Sequence, residues 1–526
     1  MQNAGVPELK TAGTPHQPAS LPLFLKLFLG ICFLLALGVR LYDLTDPPMD
    51  FHVDRQLTSM IKARGIYLQW RPDLPGWQQA IAAGQWKSMP HQEPDILEWI
   101  TAFAYRISGG ENLWIPRLFS ICFWMIGGLA VFGLARALSG PAGATLAALF
   151  YLFLPYGAIA SRSFQPDPLN TMFIILGVWA LYRWYERRGD PRRGWSRGWG
   201  RAIAAGLLCG LALLTKVTAG FMVAGAIAGL AIGDRGLKNA LRDPQMWLIG
   251  VLTLLFAAVY HVVGLATGYL QSGLFDLRII PSMLLQPLSY LRWEIKTDQV
   301  VGIGAFLLAM GGTFLVQARR GRALLIGMWI GYFVYGAVFI YFFTTHDYYQ
   351  LPLIPLVAVA LAPLGQTIFD RLQSQWSGRR GYSRAYAIVL SLLLAGALVN
   401  AWNIRTILKK ADYSGEPAFW AGLADQLRGY KVVALTEDYN HRLSYYGWLD
   451  VQYLLSSGDM NLRTLAGHPA DIERMAYVQQ LEGRDFFLIT QLNELDLQPV
   501  LKQVLYSRYK VYQQGERYII FDLRRP

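Results

Sequence analysis

Residues 21–56 read LPLFLKLFLGICFLLALGVRLYDLTDPPMDFHVDRQ, a long apolar run that is followed at once by polar and charged side chains. The apolar run is long enough to cross a bilayer as a helix, which takes about 20 residues. The charged side chains after it therefore stand close to a membrane surface, where they can reach a substrate held in the lipid. They are Asp50, His52, Asp54 and Arg55.

Composition places the whole chain in a membrane. Of its 526 residues, 54% are hydrophobic and only 16% are charged, whereas a soluble protein carries roughly 25% charged residues. The net charge of +13 lies mostly in short loops between apolar runs, which argues against nucleic-acid binding. All three cysteines, Cys32, Cys122 and Cys209, fall inside apolar runs, so we do not expect a disulfide framework.

The apolar runs predict about eleven transmembrane helices, with ends placed to within several residues. We place the helices near 22–42, 115–137, 142–159, 169–184, 202–215, 217–233, 246–264, 300–317, 323–343, 351–368 and 385–402. Residues 1–20, before the first run, are expected to form a disordered tail.

The loops between these runs differ in charge. Lys and Arg are abundant in YERRGDPRRGWSRGWGR, GDRGLKNALRDP, QARRGR and DRLQSQWSGRRGYSR, whereas the alternate short loops SRSFQPDP and TTHDYYQ hold only Arg162. Lys- and Arg-rich short loops stay in the cytoplasm. We therefore expect the N-terminal tail to be cytoplasmic, and the 43–114 loop and the C-terminus to lie outside.

Two further regions are predicted on the outer face. The 265–299 loop mixes apolar and polar residues, as helices in the membrane interface do. After 402, KVVALTED and RDFFLITQ are typical of buried strands, QPVLKQVLYSR of a helix, and YKVYQQ with ERYIIFDL of a hairpin. Residues 403–526 are therefore expected to form a small extracytoplasmic α/β domain.

The polar stretch after the first span is a candidate catalytic site. If a helix begins near Pro48, Asp50 and Asp54 lie one turn apart on the same face. A carboxylate there can accept a proton from an attacking hydroxyl, although acids at a helix start also simply suit its dipole. Asp167 and Arg162 share a short outer loop, so a second carboxylate can converge there; an Asp before Pro is otherwise typical of a turn.

Three other motifs place polar side chains at the outer face. Lys216 interrupts LALLTKVTAGF, and an ionisable residue at membrane depth indicates function, unless the lysine extends to the interface. HQEPDILEW contains Glu93, and THDYYQLPLIP contains His346, Tyr348 and Tyr349, although tyrosines are common at membrane interfaces in any case. No zinc spacing, phosphate-binding glycine loop or Ser-His-Asp order stands out.

These motifs occur in an order that resembles a known family. RLYDLTDPP is followed by EPDILEW, an Asp after the third span, GLLCGLALLTKVTAGF and YYQLPLIPL. Over residues 22–402 the chain resembles the GT-C membrane glycosyltransferases, above all the protein O-mannosyltransferases, which use dolichyl-phosphate-mannose, and the lipid A aminoarabinose transferases. The resemblance implies a mainly α GT-C fold, with a transmembrane catalytic domain over 21–402, amphipathic outer helices and the C-terminal α/β domain.

The resemblance also implies a reaction. A sugar leaves a polyprenyl-phosphate carrier at the extracytoplasmic face of the bacterial inner membrane and passes, usually with inversion, to a hydroxyl of a glycolipid, a cell-surface glycan or a protein. No cofactor is implied, although paired acids can hold a divalent cation. The expected partners are the donor, the acceptor and membrane lipids. Two alternatives are a lipid-linked sugar flippase or transporter, and a non-catalytic GT-C-like partner.

Finally, the resemblance assigns roles to residues. The family's Asp-Glu pair is absent: counted back from Gly65 its first position matches Asp50, which we favour as the base, with His52 and Asp54 as alternatives. Asp167 matches the second acidic position, and Glu93 replaces a lysine used at the phosphate. Candidate phosphate-binding cations are Arg55, Arg162, Lys216, Arg278 and Arg292, and further substrate-binding candidates are His346, Tyr348 and Tyr349.

Overall fold

The computed structural model of the protein describes residues 21–186, 195–270, 277–376, 378–467 and 479–524. The predicted tail over 1–20 lies outside these residues. Most of the described chain is helical. The helices are α1 (Leu23–Leu41), α2 (Val53–Leu68), α3 (Gly76–Ser88), α4 (Ile96–Ser108), α5 (Trp114–Leu138), α6 (Pro141–Phe153), α7 (Pro155–Ala160), α8 (Asp167–Glu186), α9 (Trp195–Thr215), α10 (Ala219–Leu230), α11 (Leu237–Leu241), α12 (Pro244–Ala266), α13 (Pro287–Val301), α14 (Ile303–Phe314), α15 (Arg319–Val338), α16 (Ile340–Thr345), α17 (Leu353–Ser374), α18 (Gly378–Lys410), α19 (Glu416–Leu427), α20 (His441–Gly447), α21 (Ser457–Leu465), α22 (Leu492–Asp496) and α23 (Pro499–Arg508).

Among the described residues, seven helices are long and apolar enough to cross a membrane, and the pair α13–α14, bent by 87°, makes an eighth if it counts as one span. They are α1, α5, α9, α12, α15, α17 and α18. The predicted set of about eleven also contained α6, α8 and α10. Helices of 12 or 13 residues, such as α10 and α6, rise only about 20 Å, less than the hydrocarbon thickness. The chain is a multi-span membrane protein.

Small residues let two of these helices approach closely. A Cβ atom added at Gly327 of α15 would lie 2.0 Å from the carbonyl oxygen of Gly225 in α10, and one added at Gly225 would lie 2.2 Å from the oxygen of Gly327. Only glycine permits such backbone contact, a common device in membrane helices. The contact fixes the start of α10, which directly follows Lys216.

The 43–114 loop forms three helices, α2, α3 and α4, which we call the cap helices. Their buried side chains share one apolar core with α5 and with α20 of the C-terminal region, through residues such as Leu57, Tyr67, Tyr105, Ile115 and Tyr445. The cap helices are therefore fixed both to the membrane helices and to the C-terminal region.

The C-terminal region contains a five-stranded sheet of order β2-β1-β3-β5-β4. Its strands are β1 (Val432–Leu435), β2 (Gln452–Tyr453), β3 (Phe486–Ile489), β4 (Lys510–Gln514) and β5 (Ile519–Asp522). β1 runs parallel to β2 and β3, whereas β4 and β5 form an antiparallel hairpin beside β3. Both β1 and β3 are buried along their whole length, which explains their uninterrupted apolar sequence. The predicted small α/β fold is confirmed, and α18 extends to Lys410, beyond the predicted end at 402.

Candidate active site

The cap helix α2 begins later than predicted. Its first residue is Val53, and its N-cap, His52, has a left-handed backbone with φ 40° and ψ 73°. The expected helix from Pro48 is therefore wrong, and Asp50 precedes the helix instead of sharing a face with Asp54. The preceding loop is held by a buried side chain instead, because Arg117 donates to the carbonyl oxygens of Leu44 and Asp46.

Asp50 is the carboxylate of a buried ion pair. Its Oδ2 lies 2.6 Å from Nη2 of Arg117 and 3.8 Å from Nε of Arg162, and both arginine side chains are almost fully buried. Gln56 lies 3.5 Å from Oδ1 of Asp50 and accepts a hydrogen bond from the backbone N–H of Phe164. Asp50 therefore neutralises buried guanidinium groups and ties the first outer loop to the loop before α8.

A second polar group links α2, α8 and the break between α9 and α10. Lys216 Nζ donates to Oδ1 of Asp167 at 2.8 Å and lies 3.8 Å from Oε1 of Glu93. Arg55 donates to Oε2 of Glu93 at 2.7 Å. Oδ2 of Asp167 and Nε of Arg55 are buried without a hydrogen-bond partner among the described residues. The group therefore has both a donor and an acceptor left for a polar ligand.

The surroundings of Glu93 are mostly positive. Burial alone would raise the pKa of this carboxyl, but the positive charges of Arg55, Lys216 and Arg278 and the hydrogen bond from Arg55 lower it from 4.5 to about 2. Arg278 therefore faces the same group. Within the described ranges, no carboxylate oxygen lies within 4.0 Å of its guanidinium, so its charge is free to meet an anion.

Two buried tyrosines form one wall of this group. Lys216 Nζ lies 5.2 Å from the ring centroid of Tyr348 and 4.9 Å from that of Tyr349, and Arg55 lies 5.8 Å from that of Tyr348. Such distances allow cation–π attraction. The rings therefore hold the two cations while leaving their N–H groups able to donate to a ligand.

His52 faces the same tyrosine from the other side. Its Nε2 lies 2.6 Å from Oδ1 of Asp347, and Oδ1 also accepts a hydrogen bond from the Tyr156 hydroxyl at 2.7 Å. Lys296 Nζ lies 3.9 Å from Oδ2 of the same carboxylate. The His52 ring packs edge-on against Tyr348, with 4.6 Å between centroids, so the imidazole adjoins the cation group.

Asp54 lies nearer the C-terminal region. No Lys or Arg nitrogen of the described chain comes within 4.0 Å of its carboxylate. Burial lowers the pKa of His346 to about 4 against the opposing negative charge of Asp54. Burial also lowers the pKa of His441, again opposed by Asp54, and His441 Nδ1 lies 3.4 Å from Thr58 Oγ1. The C-terminal region thus completes the rim of the site.

Most of the candidates from the sequence meet at this site. Those brought together are Arg55, Glu93, Asp167, Lys216, Arg278, Tyr348 and Tyr349, with His52, Asp54 and His346 beside them. Asp50 and Arg162 form their own buried pair, and Arg292 is exposed on α13 without an ion pair in the described chain. Sequence reasoning missed Asp347, Tyr156, Lys296 and Arg117. Only Asp347 had a signal, since it lies within the outer motif THDYYQ.

The described residues hold no group of three or more His, Cys, Asp or Glu side chains arranged to bind a metal ion. The divalent cation considered from the sequence therefore stays a prediction. The polar groups above are mixed pairs of acids and bases, which neutralise one another.

Comparisons with known proteins match this geometry. Residues 92–262, which include Glu93, Asp167 and Lys216, match the family described as dolichyl-phosphate-mannose-protein mannosyltransferase. A curated relative, the lipid A galacturonosyltransferase RgtD of Rhizobium johnstonii, is 28% identical over 168 residues, which cover 32% of each chain. The matched stretch thus spans about a third of that relative's length.

Solved structures match over most of the chain. ArnT from Cupriavidus metallidurans bound to undecaprenyl phosphate has a TM-score of 0.57 and 14% identity, with 95% of this chain and 98% of that chain covered. The oligosaccharyltransferase AglB from Archaeoglobus fulgidus, with an inhibitory peptide and a dolichol-phosphate, has a TM-score of 0.56 and 12% identity, covering 94% and 74%. The resemblance noted in the sequence is confirmed: the chain has the GT-C glycosyltransferase fold, and its segment 92–262 matches the protein mannosyltransferase family.

Proposed function

We propose that this protein is a glycosyltransferase that moves a sugar from a polyprenyl-phosphate carrier to a hydroxyl group of an acceptor. The observation that carries the proposal is the convergence of Arg55, Lys216 and Arg278 on Glu93, at the junction of membrane helices and cap helices. Cations suit the phosphate of such a donor, and neighbouring apolar helices suit its isoprenoid chain. The lipid phosphates bound to ArnT and AglB support the same class of donor.

The cations would act on the leaving group. When the bond between the sugar and the phosphate oxygen breaks, negative charge grows on the phosphate, and preorganised cations stabilise it. Arg55 and Lys216 are already held by Glu93 and Asp167, so little reorganisation is required. Arg278 carries no such carboxylate and is the cation best able to move onto the phosphate.

The acceptor hydroxyl needs a base. Asp50 was favoured from the sequence, but its carboxylate is engaged by Arg117, and we assign it the role of holding the first outer loop. His52 and Asp54 both lie at the rim of the site and are the remaining candidates. Either one would receive the hydroxyl proton as the new glycosidic bond forms.

We place this reaction at the extracytoplasmic face of a bacterial inner membrane, with the N-terminus in the cytoplasm, on the basis of loop charge. The acceptor would enter between the cap helices and the C-terminal region, where Asp54 and His441 lie. A glycolipid is the acceptor that the name of the relative RgtD favours, ahead of a cell-surface glycan or a protein.

The test is transfer by the purified full-length protein in detergent with a pool of radiolabelled polyprenyl-phosphate sugars and a membrane lipid extract. We expect release of free polyprenyl phosphate and label in a second product, and a loss of at least about 10²-fold in Lys216→Met and Arg55→Met. Lys502→Met, which removes an exposed lysine paired with Asp496, is the control. Equal turnover in all variants would overturn the assigned site, and no consumption of any donor would overturn the function.

A further inference from the structure

The backbone at His52 is unusual for its residue type. Its φ of 40° is left-handed, a region that side chains other than glycine rarely occupy and that costs roughly 1 kcal/mol or more. Residues held in this way cluster at functional sites. The conformation directs the imidazole toward Asp347, which comes from the far end of α16, 295 positions later in the chain.

The imidazole is fixed on several sides. Phe51 and Tyr348 pack against it edge-on, each with 4.6 Å between ring centroids. Asp347, its hydrogen-bond partner, is itself held by the Tyr156 hydroxyl. Although burial favours the neutral acid, the hydrogen bonds from His52 and Tyr156 lower the pKa of Asp347. The carboxylate is therefore charged and accepts the proton of Nε2.

This arrangement determines what the other ring nitrogen can do. In a neutral imidazole whose Nε2–H donates, Nδ1 carries a lone pair and can accept a proton. Nδ1 of His52 has no hydrogen-bond partner among the described residues, and it is not one of the sealed polar atoms that lack a partner. The ring also borders Tyr348, which contacts both Lys216 and Arg55. A sugar acceptor at the cation group would thus meet Nδ1.

We propose that His52 is the general base of the transfer and that Asp347 is its positioning residue. The proposal rests on the proposed glycosyl transfer. The acceptor O–H gives its proton to Nδ1 while its oxygen forms the bond to the anomeric carbon. The bond from that carbon to the phosphate oxygen breaks, and the phosphate leaves with the electron pair. Asp347 stabilises the resulting imidazolium through Nε2–H, as a buried carboxylate does for other catalytic histidines.

Asp54 is the competing base, and its surroundings favour the histidine. Its carboxylate interacts with His346 and His441, toward the C-terminal region, whereas the His52 ring borders the tyrosine that contacts the cations. Asp54 has no partner in the described chain that would fix its direction. The geometry therefore selects the imidazole.

The test uses His52→Gly in the full-length protein. Glycine adopts φ 40° without strain, so we expect no loss of thermal stability, and it leaves space for a small molecule. Transfer should fall by about 10²-fold or more, and added imidazole should restore a measurable part of it. His261→Ala is the matched control, since His261 bonds to a carbonyl of its own helix, α12, and this variant should neither lose activity nor respond to imidazole.

Asp347→Asn tests the positioning role. We expect a lower kcat with an unchanged KM for the donor, and imidazole should rescue the double variant His52→Gly, Asp347→Asn less well than His52→Gly alone. A His52→Gly protein that is as active as the wild type, or one that stays inactive with imidazole while Asp54→Asn is equally inactive, overturns the proposal. Because the wild type must transfer sugar in the same assay, these results are distinguishable from failure of the proposed function.

Discussion

At the scale of single residues, acids of similar appearance in the sequence have different environments. Asp50 is paired with two buried arginines, Asp54 has no cation beside it in the described chain, and Asp167 is paired with Lys216. A buried carboxylate that neutralises an arginine is worth more to stability than to proton transfer, because its lone pairs are already occupied.

Asp50→Asn is therefore expected to destabilise the protein, by about 3 kcal/mol, because Arg117 loses its buried counter-charge. Thermal unfolding in detergent measures this effect. The activity of the folded fraction should fall by less than the roughly 10²-fold expected for a lost base. The double variant Asp50→Leu, Arg117→Met, which removes both charges, should recover part of the stability. A stable Asp50→Asn protein without activity would instead restore Asp50 as the base.

At the scale of elements, the position of Lys216 depends on how closely α10 packs on α15. Lys216 follows the last residue of α9, and the two helices that flank it meet their neighbours through glycines, including Gly210, whose Cβ would lie 2.4 Å from the oxygen of Leu252. A lysine at this break can reach Asp167 only if both helices keep these backbone contacts.

Gly327→Ala should push α10 and α15 apart, since the new Cβ would lie 2.0 Å from the carbonyl oxygen of Gly225. We expect a loss of stability of about 1 to 3 kcal/mol and lower transfer, measured by thermal unfolding and initial rates. Gly311→Ala in α14 is the control, because nothing lies within 4 Å of its Cβ position. If both variants behave alike, the close contact between the helices does not position the site.

At the scale of the whole molecule, the cap helices join the membrane helices to the C-terminal region. Arg64 of α2 lies 3.6 Å from the ring centroid of Tyr445 and 4.1 Å from that of Trp448, and it forms an ion pair with Glu111 at 2.9 Å. This junction fixes the rim of the site, where His441 approaches the cap.

Arg64→Ala should loosen this junction. We expect a loss of about 2 kcal/mol or more, because a desolvated cation–π contact and a buried charge pair disappear together, and faster hydrogen exchange over 441–453. Lys502→Ala, which removes an exposed lysine from the far side of the sheet region, is the control. Unchanged exchange in Arg64→Ala would show that other contacts carry the junction.

The sequence alone determined the membrane character, most spans and the C-terminal α/β elements, because long apolar runs and buried strands are local patterns. It also located Glu93, Asp167, Lys216 and the two tyrosines through motif order. It placed the start of α2 too early, since local propensity does not register the arginines that hold the preceding loop.

Only the tertiary structure decided which charges are partners. His52 and Asp347 are 295 positions apart, and Arg117 and Asp50 are 67 apart, so no local pattern links them. Ion pairs depend on distance and burial in three dimensions, and both follow from how the helices pack. The sequence by itself determined where charged groups meet the membrane, and the packing decided which of them stay open to a substrate.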